Sequence, residues 1–136
     1  MADDCIFCKI VAGEIPATKV LEDERTLAFM DIAPWTRGHT LVIPKAHAAD
    51  LGEIGEEDLA AVSATAKRIA LRQKERLGAE GVNLLNAFGS AAWQTVFHFH
   101  MHVIPRYGGD GMQPPARPGA GGGEAEIKAA GEELSR

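Results

Sequence analysis

Gln94-Thr95-Val96-Phe97-His98-Phe99-His100-Met101-His102-Val103-Ile104-Pro105-Arg106 is the segment from which both fold and chemistry can be read. Successive side chains of a strand point to opposite faces. Read as a strand over 96–104, the segment puts Phe97, Phe99, Met101 and Val103 on one apolar face, which must be core. His98, His100 and His102 then share the other face, at steps of roughly 6.5–7 Å. Three of the five histidines in the chain thus stand in strict alternation behind an unbroken apolar stripe. Structural histidines rarely occur that way, so the segment reads as a site built on a sheet.

Two chemistries suit such a face. His-x-His on a strand can place two imidazoles on one metal ion. Alternatively, an imidazole can attack phosphorus while its neighbours bind the phosphate oxygens. The neighbouring sequence favours the second. Gly38-His39-Thr40-Leu41-Val42-Ile43-Pro44-Lys45 brings a fourth histidine to a strand start. Asn83, Asn86, Gly89, Ser90, Gln94 and Thr95 form a polar, glycine-containing approach that offers donors to an anion. No Asp or Glu lies between Gly81 and Tyr107, whereas catalytic metal sites usually keep carboxylates close by.

The rest of the chain predicts the scaffold. Short apolar runs at 20–22, 26–30, 40–43 and 83–87 read as further strands, separated by turns at Asp23-Glu24 and Asp31 to Gly38. Leu59, Val62, Ala66, Ile69, Gln73 and Leu77 step by three and four, with Gln73 the one polar interruption, which predicts an amphipathic helix. Glu56, Glu57 and Asp58 load its first turn and Gly78 follows its basic end, as the helix dipole and C-cap favour. A single long helix among these strands argues against repeated βαβ units. An α+β fold follows, an antiparallel sheet of about five strands with helices on one face.

At 136 residues the chain is one domain's length, and it is long enough to bury a core without disulfides. Composition changes after Tyr107: residues 108–136 hold eight of the fifteen glycines, with Pro114, Pro115 and Pro118. Residues 1–107 are therefore read as the working domain and 108–136 as a Gly/Pro-rich flexible extension, within which 124–135 can form a short polar helix. Fourteen Lys and Arg against nineteen Asp and Glu leave a net charge of −5, which excludes a broad basic patch for nucleic acid. No apolar run approaches a membrane span, and Met1-Ala2-Asp3-Asp4 lacks the basic start of a secretory leader. A cytoplasmic address is expected. Cys5 and Cys8 form a C-x-x-C pair with three open readings: a redox motif, inert thiols, or half of a structural zinc site. The redox reading is the weakest, because no strand precedes Cys5.

His98 to Ile104 resembles the signature of the histidine triad (HIT) family of nucleotide hydrolases and transferases. Cys-Ile-Phe-Cys-Lys-Ile with Gly-Glu-Ile-Pro, then Leu-Ala-Phe-Met-Asp-Ile, Gly-His-Thr-Leu-Val-Ile-Pro-Lys and Gln-Thr-Val-Phe-His resemble its HINT-like branch, in the same order, over most of 5–107. The resemblance implies a HIT-like fold with a short N-terminal helix and a homodimer. It also implies hydrolysis of a purine nucleoside 5'-phosphoramidate, or a related nucleotide linked at its α-phosphate, through a nucleotidyl-histidine intermediate. A dinucleoside polyphosphate hydrolase or nucleotidyltransferase, and a non-catalytic nucleotide-binding module, are the alternatives. His100 matches the nucleophile, His102 the phosphate-contacting histidine and His39 a supporting one. Asn86, Gln94 and Thr95 match groups that bond phosphate or the leaving side, and Asp31 the acid that binds the ribose. Ile6, Phe7, Ile10, Phe29 and Met30 are implied to line the base pocket. In zinc-bearing members the ligands correspond to Cys5, Cys8, His47 and His98, a structural zinc rather than a catalyst. The chain departs from the pattern in a loop from Asn86 to Gln94 that is one residue longer, and in Trp93, where a glycine usually precedes the glutamine.

Overall fold

The computed structural model describes residues 4–136; residues 1–3, read above for a leader, lie outside the described residues. The elements in chain order are α1 (Ile6–Val11), β1 (Lys19–Glu22), β2 (Thr26–Met30), β3 (Thr40–Pro44), α2 (Glu56–Leu77), β4 (Gly81–Leu85), β5 (Met101–Arg106) and α3 (Glu124–Ser135). The five strands form one antiparallel sheet in the order β1-β2-β3-β5-β4.

The central strands β2 and β3 are apolar after their first threonine, as strands covered on both faces are. Ala28, Val42, Phe99 and Val103 meet Val62, Ala66 and Ile69 of α2 on one face. Leu27, Phe29, Leu41 and Ile43 meet Phe7 and Ile10 of α1 on the other. The expectation of helices on one face is corrected here: the two helices flank the sheet, and α1 lies on the histidine side.

Helix α2 ends on Gly78 in the left-handed conformation (φ 73°), which glycine adopts without steric cost. Its polar interruption has a purpose in the fold. The Gln73 Nε2 donates to the carbonyls of Gly38 and Val103, both at 3.0 Å, pinning the helix to the loop before β3 and to the strand of histidines. Thr26 and Thr65 share a buried hydroxyl–hydroxyl bond of 2.8 Å across the same interface. Gly38 itself has φ 95°, a conformation that strains any other residue, and a Cβ there would press on Leu77 Cδ1 and Pro105.

Two strands differ from the sequence reading. β4 spans Gly81–Leu85 rather than 83–87, because Asn86 turns its side chain to the backbone of His100 instead of extending the ladder. β5 starts at Met101, not Val96. Residues 96–100 are irregular, and Phe97, expected in the core, is 47% exposed. The physical reason is a competing set of bonds: Phe99 N–H donates to the Ala48 carbonyl at 2.7 Å, pulling this stretch off the β3 ladder. Beyond Tyr107, Asp110 closes a local turn by accepting from Arg106 at 2.7 and 2.9 Å and from the backbone N–H groups of Tyr107 and Met112, and the Gly108 N–H donates to Glu80 at 2.7 Å. Helix α3 buries none of its residues, and Ile127 and Leu134 stay exposed. Among the described residues no helix is long and apolar enough to cross a membrane.

Candidate functional site

The site grows from the register of β5. His102 pairs with Leu41 of β3 and Leu85 of β4, which places it on the α1 face of the sheet. His100, immediately before the strand, reaches the same face, its ring 5.0 Å from that of His102 and edge-on to Phe7 at 5.2 Å. Its Nδ1 lies 2.8 Å from the carbonyl oxygen of His98. A carbonyl can only accept, so the proton is on Nδ1 and the Nε2 lone pair is free. Among the described residues none bonds that Nε2. Burial holds the His100 imidazole below the ordinary histidine pKa, with the His98 carbonyl and Asp31 opposing. A neutral, oriented nitrogen nucleophile results.

A second chain of bonds sets His102. The Trp35 backbone N–H donates to His39 Nδ1 at 3.1 Å, which puts the His39 proton on Nε2. His39 Nε2 in turn donates to His102 Nδ1 at 2.9 Å. His102 must then carry its proton on Nε2, as a donor. Burial, then the neighbouring His100 and His39, push the His102 pKa down to about 4, so the relay stays neutral. Asp31 stands beside it with one carboxylate oxygen 3.6 Å from His39 Nε2 and the other accepting from the Ala33 N–H at 2.8 Å.

These groups line one cavity of about 260 Å³. Asp31, His100, His102 and Thr95 form its polar side, and Ile6, Phe7, Ile10, Phe29 and Met30 are among its apolar lining. Every base-pocket residue expected from the sequence is there. Leu41 and the Ile15-Pro16-Ala17 approach to β1 also line it and were missed, since nothing in their local pattern separates lining from core. The cavity thus combines an apolar lining with one carboxylate and two imidazoles.

Two expected phosphate donors lie elsewhere. The Gln94 amide is spent inside the protein, with its Oε1 accepting from Gly89 N–H at 2.8 Å and its Nε2 donating to the carbonyls of Ala49 and Val96. Asn86 donates to the His100 carbonyl at 3.0 Å. Gln94 braces the loop and Asn86 the backbone of His100. Trp93, ahead of Gln94, has φ 78°, which explains why glycine is usual at this position and marks it as strained.

Behind the triad the four sulfur and nitrogen groups converge. His98 Nδ1 is 3.4 Å from Cys5 Sγ, 3.5 Å from Cys8 Sγ and 3.2 Å from His47 Nδ1, and Cys8 Sγ is 3.3 Å from His47 Nδ1. A zinc tetrahedron with Zn–N ~2.0–2.1 Å and Zn–S ~2.3 Å has edges of roughly 3.3–3.8 Å, close to this spacing. His98 Nε2 donates to the Pro44 carbonyl at 2.8 Å, so its Nδ1 lone pair faces the cluster. The donor set fits a tetrahedral cation. Burial, then the neighbouring Cys5, pushes the Cys8 thiol up to about 11.

A sequence model of the HIT domain matches residues 12–109. Protein hit of Bacillus subtilis is 50% identical over 112 residues, covering 82% of this chain and 77% of that protein. The adenosine 5'-monophosphoramidase hnt1 of Schizosaccharomyces pombe is 43% identical over 134 residues, 96% of both chains. Among solved structures, a Zn-bound histidine triad family protein from Mycobacterium smegmatis superposes with a TM-score of 0.78 at 44% identity, over 97% of this chain and 96% of its own. With the family model spanning residues 12–109 and half of the aligned residues shared with the Bacillus subtilis relative, the chain belongs to the HIT domain family.

Proposed function

We propose that the chain hydrolyses a purine nucleoside 5'-phosphoramidate through a nucleotidyl-histidine intermediate. The observation that carries this reading is the 2.8 Å bond from His100 Nδ1–H to the His98 carbonyl, which presents a bare Nε2 to the cavity. The nucleoside occupies the apolar slot with its ribose hydroxyls on Asp31. His100 Nε2 attacks the α-phosphorus; an N–P bond forms as the phosphorus–amine bond breaks, and the amine leaves with a proton from solvent. His102 Nε2–H donates to a non-bridging oxygen and Thr95 stands at the same edge. Water then cleaves the cationic N–P bond, releasing the monophosphate and restoring neutral His100. Splitting the reaction in this way replaces one hard displacement with two easier ones.

The S. pombe relative supports this choice of substrate by its name. The test is turnover of an adenosine 5'-phosphoramidate beside a diadenosine polyphosphate. Faster release of AMP from the phosphoramidate is expected. The reverse order moves the assignment to dinucleoside polyphosphate hydrolysis, and no turnover of either makes the chain a nucleotide-binding module.

Cys5, Cys8, His47 and His98 are proposed to hold a structural zinc, which would supply a cross-link between α1, the segment after β3 and the triad. A reduced thiol pair of this kind suits the cytoplasm. A homodimer is also proposed, supported by edge strand β4 with Leu84 52% exposed. Light scattering is expected to give twice the 14.5 kDa chain mass. A single-chain mass throughout the micromolar range would remove the dimer from this reading.

A further inference from the structure

A second cavity, of about 350 Å³, plays no part in the mechanism above. Cys5 and His47 line it, so it opens onto the sulfur–nitrogen cluster. It shares Ile6, Thr95 and Val96 with the nucleoside cavity, and the two therefore have a common wall. Cys5 and Cys8 are half-buried and His47 is exposed, which leaves the sulfurs within reach of small solutes.

The cluster draws on three separate stretches: the start of α1, the segment after β3 and the segment before β5. A cation held by all four groups therefore ties α1 to the sheet. The two sulfurs alone are placed quite differently. Cys5 is the N-cap of α1, and the Cys8 N–H donates to its Sγ at 3.4 Å. Their sulfurs lie within 4.8 Å of each other. A disulfide joins Cα atoms ~4.4–6.8 Å apart, about the rise of one helical turn. Such a bond would close a ring inside the first turn of α1 and leave His47 and His98 with no sulfur partner. Oxidation thus exchanges a long-range cross-link for a local one. Much of the site hangs on that cross-link. Helix α1 carries Phe7 and Ile10 into the nucleoside cavity, and Phe7 stands edge-on to His98 at 5.9 Å and to His100 at 5.2 Å. His98 also supplies the carbonyl that orients His100.

We propose that Cys5 and Cys8 are a reversible oxidation site, at which a hydroperoxide converts the chain from a zinc-clamped form to an unclamped one that binds nucleotide weakly. The proposal rests on the zinc and nucleotide readings above, and its test separates it from both. One thiolate attacks the peroxide; an S–O bond forms, the O–O bond breaks and hydroxide leaves. The second thiolate attacks the sulfenic sulfur, forming the S–S bond and expelling a second hydroxide. Two thiolates lose two electrons to one peroxide, and two protons from solvent turn both hydroxides into water. Two imidazoles remain, too few to retain the cation. Reduction by a dithiol reverses the step.

The full chain, reduced and loaded with zinc, is treated with hydrogen peroxide while a chromophoric chelator follows metal release. Both cysteines fall in the tryptic peptide 1–9, so the disulfide is read as the loss of two hydrogens from that one peptide. Zinc release and disulfide formation are expected to run together. Amide exchange across Ile6–Val11 is expected to quicken. If α1 stays docked about a tenth of the time, AMP affinity by calorimetry falls about tenfold. Dithiothreitol with added zinc is expected to restore both. Cys5→Ser combined with Cys8→Ser is expected to bind AMP as weakly as the oxidised chain and to ignore peroxide. A peroxide response in that variant equal to wild type would overturn the switch and assign the effect to oxidation of Met30, which lines the nucleoside cavity. Zinc retained with both thiols intact would overturn the switch and keep the zinc reading, whereas a chain that holds no zinc before peroxide overturns both. Zinc release with unchanged exchange and unchanged AMP affinity would also overturn it. A reduced chain that binds no AMP sinks the nucleotide reading, and exchange across α1 then decides the switch.

Discussion

His100→Ala is expected to lower turnover of an adenosine phosphoramidate by several orders of magnitude while AMP still binds. The variant removes the only group that forms the covalent bond, yet leaves Asp31, the apolar slot and the His39–His102 relay in place. Losing one transition-state donor such as Thr95 costs roughly 10²–10³ at most, so the two substitutions are told apart by magnitude. Rapid acid-free quenching of the wild type is expected to trap a nucleotidyl group on the peptide containing residues 98–102. Near-normal turnover in His100→Ala, or a label on a cysteine, would remove the histidine nucleophile and return the face to a metal-site reading. AMP binding by calorimetry shows that the variant is folded, since the slot requires α1 packed on the sheet.

Cys8→Ser is expected to abolish stoichiometric zinc, measured by native mass spectrometry on protein kept reduced and free of chelator. Serine retains the shape but not the thiolate, and a hydroxyl does not ligate zinc comparably. Loss of the cross-link is expected to remove about 3 kcal/mol and lower Tm by roughly 10 °C. Turnover is expected to survive chelation in part, because the reacting nitrogen belongs to His100. Wild type that binds no zinc under these conditions would leave Cys5 and Cys8 as plain thiols. Complete loss of turnover with an intact fold would assign the metal a catalytic role.

The extent to which sequence disclosed this site follows from which interactions are local. The α2 stripe, its Gly78 stop and the alternation of Met101, His102 and Val103 are local patterns, and they stand where periodicity puts them. The placement of His102 on the Asp31 side follows from strand register once the sheet order is known, whereas His100, one residue before the strand, reaches the same cavity through irregular backbone. What periodicity could not reveal is set by distant partners. Phe97 looks like core until Ala48 draws the Phe99 N–H aside. Gln94 and Asn86 look like phosphate donors, but buried carbonyls that need a partner have captured both amides. Trp35 carries no signal at all. It is one residue of an irregular loop until its N–H meets His39 and its ring meets His102.

The break in the strand before Met101 has a consequence for any attempt to redesign this protein. In a regular ladder the carbonyls lie in the plane of the sheet and are taken by the neighbouring strand's N–H groups. The His98 carbonyl escapes that fate because the ladder does not extend to it, and it turns up to the His100 ring instead. An engineer who idealised residues 96–100 into clean pleated geometry would gain ladder bonds and bury Phe97. The same change would deprive the imidazole of the acceptor that decides which nitrogen is bare. On the proposed mechanism the irregular stretch is thus a requirement of catalysis, and a more perfect sheet would make a poorer enzyme.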